Sequence, residues 1–390
     1  MDVAQRMAKT AAIAGVFQPR VPVTSKELLA GRLDQLRELF NTALQPGQHA
    51  VVFGERGVGK TSLVNVAYDV LGDQINKPAC GPINCDGTMD FSSAWHKAFR
   101  ECSIGEDKSL DSLLPKVVTP DDIRRVVQNI TKAVFVFDEF DQIKDKKASS
   151  LMAATIKNLS DHAVDTTIVV VGVADSVDSL IAEHASVERA LVQIPMPRMS
   201  SDEILEIITT GLRRVGMTIT DEAKKRITVL SQGLPYFTHM LSLHAAQAAI
   251  GQDRLDMSIE DVRAAIKRSV KQTQQSIVSA YDKAVASANK NNLYRQVLTA
   301  CALADADDSG YFYAGDVRDP MSKIMNRYYD IPAFAPHISA FCHDDRGPVL
   351  KRRGTPKNYQ FRFKDPLMQP YVVMRGLDSG LITEDTAFKQ

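Results

Sequence analysis

Short apolar runs alternate with stretches of helical periodicity over the first 198 residues of the chain. β-Branched and aromatic residues are frequent in these runs, which is typical of β-strands. The predicted strands have the sequences HAVVFG, ACGPINC, AVFVFDEF, TTIVVVGVAD and ALVQIPM. Because strands separated by helices pair in parallel, with helices on both faces of the sheet, the pattern predicts an α/β domain over residues 1–198.

The strand signal stops near Ser200, and consecutive helical patterns follow it. Ser or Thr followed by acidic residues marks helix starts, and glycine marks helix ends. The predicted helices have the sequences SSDEILEIITTGLRRVG, TDEAKKRITVLSQG, PYFTHMLSLHAAQAAI and SIEDVRAAIKRSVKQ. We therefore predict an all-helical domain over residues 199–290.

A third pattern covers residues 291–390. It begins with a helix, LYRQVLTACALA, continues through an acidic turn and short helices, and reaches GPVLKRRGTPKNYQFRFKDP. This last segment has the pattern of two strands around a basic Gly-Pro turn. Helices that close with a β-hairpin suggest a winged helix.

Composition limits the partners and the location of the protein. Lys and Arg together number 47, and Asp and Glu together also number 47, so the chain has no net charge. Attraction to nucleic acid must therefore come from local patches. No apolar run reaches the length of a secretory signal or of a membrane span, which favours a cytoplasmic protein without membrane contact. The five cysteines form no CxxC pair, which favours scattered buried thiols over a zinc site or a disulfide framework.

The first predicted strand leads into the glycine-rich loop FGERGVGKTS, which completes the pattern G-x-x-x-x-G-K-[ST] between a strand and a helix. Backbone N–H groups of such a loop surround phosphate oxygens, and the start of the helix adds partial positive charge. Lys60 is expected to contact the β and γ phosphates, and the Thr61 hydroxyl to bind Mg²⁺. The alternative is a glycine-rich turn with a surface lysine. The predicted phosphate-binding residues are Gly54, Glu55, Arg56, Gly57, Val58, Gly59, Lys60, Thr61 and Ser62.

A second motif, AVFVFDEFD, ends an apolar strand with two carboxylates. Asp138 is predicted to hold Mg²⁺, and Glu139 to orient and polarise the attacking water. Alternatively, acids at a strand end only solvate a loop. Beside the phosphate loop, they predict an enzyme that hydrolyses ATP with Mg²⁺ as cofactor.

The order of these motifs resembles that of AAA+ or closely related STAND-type ATPases. The shared order is a P-loop strand, a strand and helix with Trp95, the Asp-Glu strand and then TTIVVVGVAD. Upstream, LLAGRLDQLREL, from Leu28, resembles the box of the initiator (origin-recognition) clade that packs near the adenine, with Gly31 and Arg32 as the matching residues. The resemblance implies a P-loop ATPase core, a helical lid and a winged helix.

The resemblance also implies roles that the residues alone do not establish. The tip of the fourth strand is expected to sense the γ-phosphate; Asp175 or Ser176 stands there, where Asn is commoner in the family. Arg189 stands where such proteins can present an arginine finger to a neighbouring subunit, with Arg198 in reserve. The alternative for Arg189 is a surface arginine paired with an acid.

In the helical domain, LSQGLPYFTHML resembles the G-x-P turn with which lids of these ATPases approach the nucleotide. Gly233 and Pro235 would shape this turn, and His239 follows one helical turn later. A single histidine on an apolar helix is otherwise a packing residue.

Between Arg346 and Lys364 the chain has seven cationic residues and no acidic ones. Alternation with aromatic residues would place Arg362 and Lys364 on the outer face of a wing strand, where cations can contact DNA phosphates. The alternative is a solvated hairpin that folds onto the ATPase or onto a partner protein. The predicted nucleic-acid contacts are Lys351, Arg352, Arg353, Lys357 and Arg362.

Three functions agree with these features. The first is an ATP-hydrolysing switch that forms homo-oligomers with ATP and contacts duplex DNA through its winged helix. The second is a STAND-like signalling or antiphage-defence ATPase whose winged helix binds an effector protein or autoinhibits. The third is a nucleotide-binding scaffold with little hydrolysis, which Glu139 makes less attractive.

Overall fold

The computed structural model describes residues 1–387 apart from 25–28, 76–78, 103–109, 130–132, 175–176, 178–179, 182–186, 290–291, 308 and 357. The described residues form two compact units. One unit is Val21–Pro197, and the other combines Met1–Arg20 with Arg198–Gln390. Leu28, Asp175, Ser176 and Lys357, which the sequence analysis named, lie outside the described residues.

The unit Val21–Pro197 contains a parallel sheet of five strands in the order β2-β3-β4-β1-β5. After α1 (Val3–Val16) of the other unit, its elements are α2 (Leu33–Leu44), β1 (His49–Gly54), α3 (Lys60–Ile75), β2 (Ala79–Asn84), α4 (Phe91–Glu101), α5 (Pro120–Val127), β3 (Ala133–Asp138), α6 (Lys146–Asp161), β4 (Thr166–Val173) and β5 (Leu191–Pro195). The predicted α/β class with a parallel P-loop sheet is confirmed.

Burial explains why the central strands are apolar throughout. All residues of β3 are buried, as are all residues of β4 except the last, Val173. Trp95 of α4 is fully buried against β3, with ring centroids 5.3 Å from Phe135 and 4.9 Å from Phe137. Aromatic packing of this kind removes a large apolar area from water and fixes α4 on β3.

The second unit continues with helices from Arg198 onward. Its first elements are α7 (Ser201–Arg214), β6 (Thr218–Ile219), α8 (Asp221–Ser231), α9 (Pro235–Gly251), β7 (Asp256–Met257) and α10 (Ile259–Gln272). Ser200 and Glu203 form a capping box at α7, as the Ser-acid pattern predicted. The all-helical prediction did not include the parallel pair β6–β7, because strands of two residues show no periodicity.

The rest of this unit contains a three-stranded antiparallel sheet in the order β8-β10-β9. Its elements are α11 (Gln275–Val285), α12 (Tyr294–Ala302), β8 (Phe312–Tyr313), α13 (Arg318–Met325), α14 (Ile331–Ala340), β9 (Leu350–Arg353), β10 (Gln360–Phe363), α15 (Met368–Asp378) and α16 (Glu384–Ala387). The division of the chain at residues 198 and 290 into three domains stays a prediction.

Helix α1 belongs to this second unit, although the sequence analysis assigned it to residues 1–198. Its C-cap, Phe17, is buried edge-on against His239 of α9, with ring centroids 5.8 Å apart. Gly211 of α7 leaves room for Phe17, since a Cβ at this position would lie 2.5 Å from the Phe17 ring. Arg6 also forms an ion pair with Asp253, at 2.8 Å. Shape and charge therefore both hold α1 in place.

No helix among the described residues is long and apolar enough to cross a membrane. Cys85, Cys301 and Cys342 are free thiols, as expected. Cys102 is disulfide-bonded, so the expectation of scattered thiols is wrong there. Sequence spacing could not show this, because a disulfide depends on the distance between two thiols in the fold.

Candidate nucleotide site

The glycine-rich loop connects the end of β1, at Gly54, to the start of α3, at Lys60. Gly57 and Gly59 have φ angles of 86° and 96°, which residues with side chains rarely adopt. At Gly54 a Cβ would lie 2.4 Å from the carbonyl oxygen of Met196, so only glycine fits there. Positive φ angles of this kind are typical of loops whose N–H groups converge on an anion.

Lys60 is buried, and its ammonium group remains within the loop. Nζ donates to the carbonyl oxygens of Gly54 and Glu55, at 3.0 and 2.8 Å. Burial lowers the pKa of Lys60 to about 8, although nearby carboxylates, Asp141 first among them, act to raise it. Lys60 is therefore not the surface lysine of the alternative interpretation, and its contact with phosphates stays a prediction.

The second motif lies at the carboxyl end of β3, next to β4 in the sheet. Asp138 is buried, and its Oδ1 accepts the N–H of Glu139 at 2.8 Å. Glu139 is exposed and has left-handed backbone angles, φ 55° and ψ 34°. Such a conformation costs a non-glycine residue on the order of 1 kcal/mol, and strain of this kind is concentrated at functional sites.

Asp141 is a third carboxylate at this edge of the sheet, and the sequence analysis did not identify it. Its Oδ1 accepts the backbone N–H of Val173, the last residue of β4, at 2.8 Å. The only sequence signal was its position three residues after Asp138, in the motif DEFD. Its partner is a backbone group far along the chain, which no side-chain pattern reveals.

Arg32, which the sequence analysis placed near the adenine, is buried and contacts the glycine-rich loop. Its Nη2 donates to the carbonyl oxygens of Pro197 and Val58, at 2.6 and 3.4 Å. Val58 belongs to the glycine-rich loop, and Pro197 follows β5. The arginine therefore connects the loop to the chain after β5, and its role toward adenine stays a prediction.

The sequence profile of a known family, novel STAND NTPase 1 (nSTAND1), matches residues 22–308. The match covers the glycine-rich loop, the Asp-Glu strand and the helices that follow. The chain belongs to the novel STAND NTPase 1 family. No curated protein is significantly similar to it in sequence.

Two solved structures are similar in fold to this STAND NTPase. The Walker-type ATPase paby2304 of Pyrococcus abyssi shares 15% identity at a TM-score of 0.54, over 91% of this chain and 99% of that chain. The ORC2 protein of Aeropyrum pernix, solved in ADPNP and ADP complexes, shares 13% identity at a TM-score of 0.51, over 94% and 97%. At such low identity the similarity establishes the P-loop ATPase fold alone.

Arg189 of this STAND NTPase lies in a single 3₁₀ turn, Glu188–Ala190, directly before β5. Its side chain is exposed and forms no ion pair with any residue that the structure describes. Only its backbone is engaged, since its carbonyl oxygen accepts from Gln48 Nε2 at 3.4 Å. The role of Arg189 as an arginine finger stays a prediction. Arg198 instead donates to Gln369 Oε1, at 2.8 Å.

The G-x-P turn lies in the other unit. Gly233 has φ 72°, and a Cβ there would lie 2.7 Å from the carbonyl oxygen of Met199. Pro235 then begins α9. His239 is buried against Phe17, and burial lowers its pKa to about 4. It has the environment of a packing residue, and the roles of Pro235 and His239 toward nucleotide stay predictions.

Most cations of the basic segment make contacts within their own unit. Arg346 Nη1 donates to the carbonyl oxygen of Ala284, at 3.1 Å. Three others lie over the Tyr311 ring, with distances to the ring centre of 3.6, 4.7 and 5.6 Å: Arg353, Arg362 and Lys351. Arg353 also forms an ion pair with Asp307, at 3.4 Å. Cation–π contacts of this kind hold the hairpin against the 307–311 turn.

The predicted outer face of β10 is wrong at Arg362. This residue is buried, and its Nη1 donates to the carbonyl oxygen of Ser309 at 2.9 Å. Strand β10 is covered on both faces, so alternation does not separate an inner from an outer side. Arg352 and Lys364 remain exposed, with Arg352 over the ring of Tyr359 at 4.4 Å.

Proposed function

We propose that this STAND NTPase is a molecular switch that binds and hydrolyses ATP. One observation carries the proposal: Nζ of buried Lys60, at the start of α3, donates to two carbonyl oxygens of the glycine-rich loop, and four nearby carboxylates act to raise its pKa. A buried ammonium beside a helix start is suited to the phosphates of a nucleotide. In the bound state, phosphate oxygens would replace these carbonyl oxygens as acceptors for Lys60.

The residues present fit a magnesium nucleotide. Thr61, in the first turn of α3, has a hydroxyl oxygen, and buried Asp138 has carboxylate oxygens, the ligands that Mg²⁺ prefers. Among the described residues no three His, Cys, Asp or Glu side chains could hold a metal alone. Magnesium with few protein ligands and several from phosphate and water is typical of NTPases. Bound Mg²⁺ would neutralise phosphate charge during hydrolysis.

Adenine nucleotides are the expected ligands. The ORC2 protein of Aeropyrum pernix has the same fold and was solved with ADPNP and ADP. In this chain, Arg32 contacts the loop through Val58, at the position where the initiator clade has its adenine-proximal box. We propose that the residues around Arg32 border the base.

We assign the orientation of the attacking water to Glu139. Glu139 is exposed, it follows buried Asp138 directly, and its backbone is left-handed. Glu139→Gln should retain ATP binding and lose at least roughly 100-fold in turnover, because the amide cannot accept a proton. Unchanged turnover in this variant would instead favour the nucleotide-binding scaffold.

Assembly through Arg189 is part of the proposed switch. An exposed arginine can complete the site of a neighbouring copy and stabilise charge on the transferred phosphoryl group. In the presence of ATP, Arg189→Ala should reduce both turnover and the mass of the particle. The matched control is Arg100→Ala, which removes another exposed arginine, from the end of α4. Equal loss in both variants would contradict the role of Arg189.

We propose that residues 291–390 form a winged helix, since α12, β8, α13, α14, β9 and β10 occur in the order of that fold. Contact with DNA phosphates would then fall mainly on Arg352 and Lys364, since the third exposed cation of the described part of the hairpin, Arg353, forms an ion pair with Asp307. Arg352→Ala should weaken duplex binding and reduce its dependence on salt.

A second candidate function is favoured by α14. Its sequence, IPAFAPHISA, contains no Lys, Arg, Asp or Glu, and its exposed residues include Pro332, Ala333 and Pro336. A helix that reads DNA needs hydrogen-bond donors and cations on its outer face. An uncharged face instead suits an effector protein or an autoinhibitory contact, as in the signalling alternative.

Turnover and particle mass, measured with and without duplex DNA, separate these two candidates. The DNA-linked switch requires that DNA raises turnover of the wild type and that Glu139→Gln forms a larger ATP-bound assembly on DNA. The signalling ATPase requires that DNA changes neither quantity.

A further inference from the structure

Asp141 connects the turn after β3 to the end of β4. Its Oδ1 accepts the N–H of Val173, at 2.8 Å, and its Oδ2 accepts Gln142 Nε2, at 2.7 Å. Residues 139 to 141 form the turn that contains Glu139, so the carboxylate of Asp141 holds that turn to the neighbouring strand. A hydrogen bond from a backbone N–H to an oxygen is directional, so it fixes the position of the acceptor relative to the strand.

The strand has space for this carboxylate. Gly172 precedes Val173, and a Cβ there would lie 2.9 Å from Asp141 Oδ1 and 2.4 Å from Leu180 Cδ2. Any larger residue at this position would displace the carboxylate or the leucine. The N–H of Val173 and the space beside Gly172 together accommodate Oδ1 of Asp141.

The other edge of β4 meets the glycine-rich loop. In the parallel register Val173 pairs with Gly54, the residue whose carbonyl oxygen accepts from Lys60. The end of β4 thus lies between the Lys60 loop and the Asp138 turn. A displacement of Val173 would change the spacing between the two halves of the nucleotide site.

Asp141 also lies close enough to Lys60 to act on it electrically. Of the four carboxylates that oppose the lowering of the Lys60 pKa, Asp141 has the largest effect. The geometry agrees, since Asp141 is bonded to Val173, which pairs in the sheet with Gly54 at the start of the glycine-rich loop. This supports a place at the nucleotide site rather than on a remote surface.

We propose that Asp141 is a positioning residue for ATP hydrolysis, which acts through its hydrogen bond to the Val173 N–H. By holding β4 against the turn, Asp141 fixes Glu139 relative to the phosphates bound by the Lys60 loop. This role rests on the proposed ATPase function. It requires the acceptor oxygen of Asp141 and does not require contact with nucleotide.

Three variants test this role. Asp141→Ala removes the acceptor, Asp141→Asn retains an acceptor oxygen without the charge, and Gly172→Ala displaces the carboxylate by sterics. Asp145→Ala is the matched control, since Asp145 Oδ1 accepts the N–H of Lys147, at 3.0 Å, on the same connection. The readouts are single-turnover hydrolysis of Mg-ATP, affinity for N-methylanthraniloyl-ADP, the melting midpoint, and amide hydrogen exchange at Val173 without nucleotide.

Asp141→Ala and Gly172→Ala should lower the single-turnover rate at least roughly tenfold, because small misplacements of reacting groups are costly. Nucleotide affinity should change by less than about threefold, and exchange at Val173 should rise about tenfold. In Asp141→Asn, the single-turnover rate and the exchange rate at Val173 should both lie within about threefold of wild type. The control Asp145→Ala should leave both rates unchanged. Asp141→Asn has nearly the same shape as the wild type. If Asp141→Ala folds poorly, Asp141→Asn and Gly172→Ala therefore still test the role.

The role of Asp141 alone is overturned if wild type hydrolyses ATP while Asp141→Ala remains within twofold of it. It is also overturned if Asp141→Asn is as impaired as Asp141→Ala, since charge would then be the requirement, or if exchange at Val173 does not change. Absence of turnover in wild type would overturn the proposed ATPase function and this role together.

Discussion

Nδ1 of His49 accepts a hydrogen bond from the backbone N–H of Ile168, at 3.0 Å, inside the parallel sheet. His49 is at the start of β1 and is fully buried. A protonated imidazole has no acceptor nitrogen, so this bond exists only when His49 is neutral. Burial lowers its pKa from 6.5 to about 3. The sheet therefore depends on a neutral histidine.

This histidine should make stability sensitive to acid. Because the unfolded chain binds a proton near pH 6.5 and the folded chain only near pH 3, stability is lost as pH falls through this window. Between pH 7 and pH 5 the loss from His49 is about 2 kcal/mol. Urea unfolding of His49→Gln, which retains an acceptor oxygen, should show a smaller difference between these two pH values. His162→Gln, at an exposed site, is the control; an equal change in both variants would contradict the prediction.

Loss of Arg32 should loosen the glycine-rich loop. Arg32→Ala leaves the carbonyl oxygens of Val58 and Pro197 without this donor, at a cost of about 1–3 kcal/mol. We expect weaker binding of N-methylanthraniloyl-ADP and a lower melting midpoint. Arg37→Ala, on the exposed side of α2, should change neither. Wild-type affinity in Arg32→Ala would argue against a supporting role for this buried arginine.

The G-x-P turn should reject any side chain at its glycine. Gly233→Ala combines an unfavourable positive φ with a Cβ 2.7 Å from Met199 O, so the second unit should lose about 1–3 kcal/mol. Gly251→Ala, at the end of α9 with nothing within 4 Å of the new Cβ, should stabilise by up to about 1 kcal/mol. Thermal melting of the two variants should therefore shift in opposite directions.

Two arginines of the basic hairpin should behave differently. Arg362→Ala removes the hydrogen bond of a buried side chain to Ser309 and its contact with the Tyr311 ring, so it should cost about 1–3 kcal/mol. Arg352→Ala, at an exposed position, should remain within about 0.5 kcal/mol of wild type. Chemical denaturation measures both. Weaker duplex binding in Arg362→Ala without any loss in the free energy of unfolding would contradict this prediction.

Where local pattern alone determines the structure, the sequence predicted it well. Strand β1 has the bounds of the predicted run HAVVFG, and the loop to Lys60 follows it. A sheet buried on both faces needs continuous apolar strands, and a P-loop needs glycines at fixed spacing. Both requirements are local, so one sequence is sufficient to recognise them.

The features that the sequence did not predict depend on distant partners. Asp141 is defined by the N–H of Val173, and the burial of Arg362 depends on Ser309 and Tyr311. Likewise, α1 pairs with α9 through Phe17. None of these contacts has a period or a spacing, and each requires the folded chain.

Phe17 packs against Gly211, and this contact affects where the protein can be truncated. The family match begins at residue 22, so a boundary chosen from homology alone would remove α1 together with Phe17. The shortened chain would expose an apolar recess beside Gly211 and His239 that is closed in the intact protein. Recesses of this kind promote aggregation. Expression trials should therefore retain the first 20 residues, which complete the second unit.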